Sequence, residues 1–229
     1  MIMKWYRDCL ATILFRPIYF YTHMEKGPLK DKPVTFLLIS CWLFSMLMSA
    51  FVFMALILPM VSVLIQGITG PKLAVVIPVF VFFCLIFFLM ILMIAAPIVI
   101  GAVFAAFLLF SFILHYIAGR FGGAGDVRTM IKAVYYSGAV LIPYSLMPVI
   151  AAATRYKALT QQNFVPGMNL LAVMTIVYLW GLWSIALRKI YGLSKQKALS
   201  ASFIAVFLVL LLQMTAGQRI IAVLERWTI

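Results

Sequence analysis

Residues 73–119 read LAVVIPVFVFFCLIFFLMILMIAAPIVIGAVFAAFLLFSFILHYIAG, 47 positions without one Asp, Glu, Lys or Arg. About 20 apolar residues suffice to cross a ~30 Å hydrocarbon core. The stretch has flanking counterparts at 33–71, 133–154, 158–187 and 198–218, which also carry no charge. Five such runs identify the solvent as lipid. In lipid every backbone polar group must be paired internally, so the chain is read as an all-α, polytopic membrane helix bundle.

The rest of the composition agrees. The 229 residues are 66% hydrophobic and 10% charged, whereas an average soluble chain is about a quarter charged. Five spans with short loops use the whole length, so one membrane domain over 34–229 follows an N-terminal arm over 1–33. The net charge of +13 lies in the arm and loops, where anionic headgroups and the positive-inside rule account for it. Nucleic-acid binding is not needed to explain it. Cys9, Cys41 and Cys84 have neither metal-ligand nor disulfide spacing. No signal peptide is expected, because Lys4, Arg7, Asp8 and Arg16 interrupt the first twenty residues.

The 47-residue run is either one long span or a hairpin of two. Loop cations decide between them. With five spans and a cytoplasmic N-terminus, 13 Lys and Arg fall inside and 5 outside. With six spans the counts become 10 and 8. Five spans segregate charge better and place the C-terminus outside. A single helix over 73–118 would be about 69 Å long at ~1.5 Å per residue. The long second span is therefore expected to break near Pro97, after an interfacial or partly embedded first part. The other spans are expected over 34–58, 133–153, 169–187 and 198–217.

The arm reads as an amphipathic helix over 2–15. Ile2, Trp5, Tyr6, Cys9 and Ile13 follow helical spacing, with Lys4, Arg7 and Asp8 off that stripe, and Pro17 ends it. Such a helix lies in the membrane interface; the alternative is an arm packed on the cytoplasmic ends of the spans. In the tail, Ile220, Ile221, Leu224 and Trp227 repeat the pattern.

Catalysis and ion coupling inside a bilayer usually require ionisable groups there. No formal charge lies in the runs. The polar candidates are His115, Ser137, Tyr144, Thr175, Ser184 and Gln213, with Pro143 and Pro148 as expected kinks of the third span. Asp8, Asp31 and Asp126 all fall in cytoplasmic segments, which is wrong for an aspartyl protease. Two histidines, His23 and His115, cannot supply a zinc-protease helix. The chain is read as non-enzymatic, with no catalytic, cofactor or metal residues and no cofactor. A transporter or channel for a lipid or apolar solute is the alternative, with Ser137, Tyr144, Thr175 and Gln213 lining a cavity beside Pro143 and Pro148.

The densest local signal is GRFGGAGD at 119–126. Gly119, Gly122, Gly123 and Gly125 make a tight cytoplasmic turn, and Arg120, Asp126 and Arg128 give it charge for contact with a partner. It lacks the Gly-Lys-Ser/Thr of a phosphate loop.

Several of these features together resemble a family. His115, then Arg120-Phe-Gly-Gly and Gly125, lead to Tyr135-Tyr136-Ser137 and to Pro143 and Pro148. Trp180 and Leu187 precede YGLSKQKA at 191–198, while Arg16-Pro17 and Phe20 sit near the start. The stretch 15–217 resembles the Yip domain, the Ypt/Rab-interacting integral membrane family, in its short prokaryotic branch. The resemblance implies five spans, a cytoplasmic N-terminus, a location in the cell inner membrane and no catalytic chemistry. Eukaryotic members act in membrane trafficking and bind Rab-type GTPases. This chain lacks their long polar arm and Asp-Leu-Tyr-Gly-Pro motif, so a Rab-type partner is not expected. The partners expected are the bilayer, membrane or cytoplasmic proteins, and a second copy in a homo-oligomer.

Overall fold

The computed structural model describes residues 2–24, 31–67, 72–154, 161–208 and 210–211. Among these the chain is helical: α1 Ile2–Phe15, α2 Pro17–His23, α3 Asp31–Gly67, α4 Lys72–Arg120, α5 Val127–Tyr136, a 3-10 turn Ser137–Val140, α6 Leu141–Thr154 and α7 Gln161–Tyr191. A further helix, α8, runs over 195–208. Four stretches of the described chain are long and apolar enough to cross a membrane: Lys32–Met54, Val76–Arg120, Val127–Ile150 and Leu170–Tyr191. The expected fifth span, 198–217, lies only partly within the described residues. Gln213 and the tail lie outside them.

The helices extend beyond the charge-free runs. α7 continues through Arg188 and Lys189, two cations that complement the partial negative charge of a helix C-terminus. Charge-free runs mark the hydrocarbon-compatible part of a helix, not its ends.

Two expectations about breaks are corrected. α4 continues through both Pro78 and Pro97. A proline removes one backbone hydrogen bond, but ending the helix in lipid would orphan several more. Second, the third span is interrupted at Ser137–Val140, before Pro143 rather than between Pro143 and Pro148. α6 starts at Leu141, so Pro143 falls in its first turn, where a missing N–H costs nothing; Pro148 sits inside the helix. Gly138, a poor helix former, lies in the 3-10 turn.

The chain forms two compact units. One comprises Asp31–Ala106 and Gly138–Thr175, and within it α3 packs along α6. The buried residues of α3 include Phe36 and Leu37 in its first part and then Ser40, Cys41, Ser45 and Ser49, small side chains that let helix backbones approach closely. Ser40 Oγ donates to Phe36 O at 2.9 Å. Phe44 stacks on Tyr144 at 6.4 Å, and Phe53 meets Phe88 edge-on at 5.7 Å. The lipid-facing character of α4 is plain here, with Val81, Phe82, Phe83, Leu85 and Ile86 exposed.

The other unit comprises Met1–Lys30, Phe107–Ser137 and Ile176–Ile229. Its core joins Phe110, Leu114 and Ala118 of α4, Met130 to Tyr136 of α5 except for the half-buried Ile131, Leu182, Trp183 and Leu187 of α7, and Ala198, Ala201 and Ala205 of α8. Lys132, one of the cations counted between the second and third charge-free runs, is buried in α5.

The arm belongs to this unit. A helix, α1, covers Ile2–Phe15, and of the expected stripe it buries Tyr6 and Ile13, while Ile2 is exposed. Its end shows how local sequence is answered by distant packing. Ile13 O should accept from the N–H four residues on, and that residue is Pro17, which has none. Leu14 O lies next to it, where α1 gives way to α2. Tyr178 Oη of α7 donates to both, at 3.0 Å and 2.7 Å. Tyr21 Oη of α2 donates to Ala133 O at 3.3 Å, and Phe20 packs edge-on against Tyr136 at 4.9 Å.

Candidate functional site

The glycine-rich turn begins as a helix end. Gly123 N–H donates to Ala118 O at 2.9 Å and Gly122 N–H to Gly119 O at 3.0 Å. Gly122 has φ +83°. These two crossed bonds and a left-handed residue are the Schellman arrangement, which satisfies carbonyls a helix end would leave unpaired. The position demands glycine because a Cβ opposes positive φ.

Gly123 and Gly125 are needed for a different reason. A Cβ on Gly125 would stand 2.6–2.8 Å from Tyr191 ring atoms, and one on Gly123 would stand 2.8 Å from Tyr191 Cβ and 3.1 Å from both Ala118 O and Leu193 Cδ2. The two glycines form a cradle for the Tyr191 ring. Gly119 meets nothing within 4 Å and has no such role.

Tyr191 is the last residue of α7, ended by Gly192 at φ +68°. Its hydroxyl lies 2.6 Å from His115 Nδ1, one of the shortest hydrogen bonds in this unit. His115, expected as an isolated intramembrane polar group, is thus tied to the turn through Tyr191. A second tie comes from α8: Lys197 Nζ donates to Phe121 O at 3.2 Å. Between them, these contacts fasten the segment after α7 to the segment after α4.

The charged residues of the turn divide by role. Asp126 caps α5, its Oδ2 accepting from Thr129 N and Thr129 Oγ1, both at 3.1 Å. Desolvation pushes its carboxyl up, but hydrogen bonds from the Arg128 and Thr129 backbone and the Thr129 hydroxyl outweigh this and hold it below 3.8. Arg120 folds back on its own helix: Nη2 and Nε donate to Tyr116 Oη at 2.6 Å and 3.2 Å, and its guanidinium carbon lies 5.2 Å from the Tyr116 ring centroid. The Arg128 side chain is exposed and makes no direct ion pair among the described residues, although its charge also lowers the Asp126 carboxyl. It is the turn's available cation.

The expected intramembrane candidates that are described fall in both units, His115, Ser137 and Ser184 in one and Tyr144 and Thr175 in the other. Ser137 is fully buried, donates to Val134 O at 2.6 Å and accepts from Trp183 Nε1 at 3.0 Å. It satisfies a buried indole. Tyr144 stacks with Phe44 in the other unit, Pro148 is buried and Pro143 exposed.

Sequence reading missed Tyr191, Lys197 and Trp183 as partners of the turn and of Ser137. The available signal was weak: Tyr191-Gly192 closes one apolar run as Arg120 and the glycines close another, so both end on the same side.

No protein-family model, curated protein or solved structure matches this chain.

Proposed function

We propose that this is a five-span, non-enzymatic protein of a bacterial inner membrane that holds partner proteins or the membrane itself through one cytoplasmic face. The face comprises residues 119–128, the segment after α7 and the N-terminal arm. One observation carries the reading. The segments that loop cations assign to the cytoplasm are fastened to one another, Lys197 to Phe121 and Tyr191 to Gly125. A five-span chain needs this, since alternate loops share a side. A six-span chain would share this pairing, but it needs a turn near Pro97, through which α4 runs as a helix.

The exposed Arg128 side chain and the N-terminal end of α5 are the working surface, and the His115–Tyr191 pair sets its shape. The resemblance to the Yip domain supports a role in organising membrane proteins.

Two measurements test the proposal. Single cysteines at Arg120 and Lys195 in a background without Cys9, Cys41 and Cys84 should be labelled from the cytoplasmic side. Labelling from the opposite side overturns the topology. Charge reversal at Arg128 should alter the proteins that co-purify from membranes, at unchanged expression. An unaltered set removes the turn as the working surface.

A further inference from the structure

α1 and α2 enclose an open groove of about 440 Å³ lined by Lys4, Trp5, Asp8, Cys9, Thr12 and Phe20. Lys4, Asp8 and Thr12 follow one another at four-residue spacing, so they stand in a row along one face of α1. An oppositely charged pair at this spacing usually closes on itself. Here it does not. Lys4 makes no ion pair or hydrogen bond among the described residues, and Asp8 Oδ1 is engaged only at 3.4 Å by Arg7, with the carboxylate 57% exposed. A cation and an anion therefore face the same groove one helical turn apart, each with capacity unused. Trp5 and Phe20 form its apolar and aromatic part.

The surroundings place this groove at a membrane surface. Ile2, Met3, Phe15, Ile18 and Tyr19 are all more than half exposed, on two helices too short to span. Their exposure to water would be costly, whereas an interfacial helix buries such residues among headgroups and acyl chains. The arm is also held in place: Tyr178 fixes the end of α1, and Tyr21 and Phe20 fix α2.

We infer that the groove is a headgroup site for a zwitterionic phospholipid bearing a primary ammonium. The phosphate meets Lys4, the ammonium donates to the Asp8 carboxylate, and the glycerol end lies against Trp5 and Phe20. A purely anionic headgroup gains Lys4 but meets Asp8 with like charge. A trimethylated ammonium keeps the charge but has no N–H to donate.

Cys9 lines the groove and reports its occupancy. The full-length protein carrying Cys84→Ala, with Cys41 buried, is placed in nanodiscs and alkylated with a charged maleimide. The baseline is phosphatidylcholine, into which phosphatidylethanolamine or phosphatidylglycerol is titrated. Phosphatidylethanolamine should slow Cys9 alkylation saturably, with about tenfold preference over the trimethylated lipid, the factor one charge-assisted hydrogen bond supplies. Phosphatidylglycerol at equal mole fraction should protect less. Asp8→Asn, at an exposed position, should bring the two zwitterionic lipids to parity without moving the melting midpoint. Equal alkylation in all three lipids, stronger protection by phosphatidylglycerol, or an unchanged preference in Asp8→Asn each overturns the assignment.

Discussion

The cradle around Tyr191 makes glycine substitutions in one short turn differ in sign. A methyl group on Gly125 would sit 2.6–2.8 Å from the Tyr191 ring, where carbon pairs settle at about 3.5–4.0 Å. The ring must move by roughly 1 Å. Overpacking of this kind costs about 1–3 kcal/mol. The movement also stretches the 2.6 Å contact to His115 beyond hydrogen-bond range, adding roughly 0.5–1.5 kcal/mol. Gly125→Ala should therefore destabilise by roughly 1.5–4.5 kcal/mol, a fall in melting midpoint of about 3–18 °C for a chain of this size. Gly119→Ala is the internal control. It lies in the last turn of α4 with open space around it, so it should stabilise by about 0.5–1 kcal/mol. The assay is intrinsic fluorescence during heating of the purified protein in one detergent. Tyr191→Ala supplies the cycle: in that background Gly125→Ala should cost much less, with a coupling of roughly 0.5–3 kcal/mol. If Gly125→Ala is neutral, or costs the same with and without Tyr191, the cradle does not constrain the turn.

Three further outcomes follow from single contacts. Tyr178→Phe removes the hydroxyl shared by the Ile13 and Leu14 carbonyls and should raise hydrogen exchange across α1, at a cost of about 1–3 kcal/mol. Adding Pro17→Ala restores a backbone N–H and should reduce that cost, and an unchanged cost would show that the proline is not the cause. Ser137→Ala strands the indole N–H of fully buried Trp183; a loss of about 1–3 kcal/mol is expected in chemical or thermal unfolding, and a neutral result would refute the pairing. Asp126 has a folded-state carboxyl held below its ordinary value, so its stabilisation is complete above the unfolded value near ~3.9 and is lost as pH falls through the lower folded one. Wild type should gain no stability from Asp126 titration between pH ~5 and 8, and its advantage over Asp126→Asn should shrink only below pH ~4.

The parts of the fold legible in sequence are those set by composition. Charge-free runs locate lipid-compatible helices because a charge in hydrocarbon is costly enough to be rare in a span. Helix ends are less legible, since Lys72, Arg120, Arg188 and Lys189 all lie within helices beyond the charge-free runs. Prolines mislead when read alone: Pro97 interrupts nothing, and Pro143 sits harmlessly in a first turn because the interruption has moved to 137–140. At the candidate site the glycines were visible as a group, but their separate reasons were not. Gly122 answers a backbone angle, Gly123 and Gly125 answer Tyr191 some 66–68 positions away, and Gly119 answers neither. Long-range partners such as Tyr191, Lys197 and Tyr178 have no local pattern, because each meets a backbone or ring that the intervening chain must first bring near.

The bond from Tyr178 to the end of α1 has a consequence in time. The arm is synthesised first, yet the Ile13 and Leu14 carbonyls wait for a hydroxyl 165 and 164 residues later in the chain. At roughly 5–20 residues per second this interval is about 10–30 s. Throughout it the nascent arm is an incomplete structure with exposed Ile2, Phe15 and Ile18, and the membrane surface is the shelter at hand. The last act of its docking belongs to the fourth apolar run, so a chain truncated before Tyr178 should leave the end of α1 unfastened even where Tyr21 and Phe20 already hold α2 to α5.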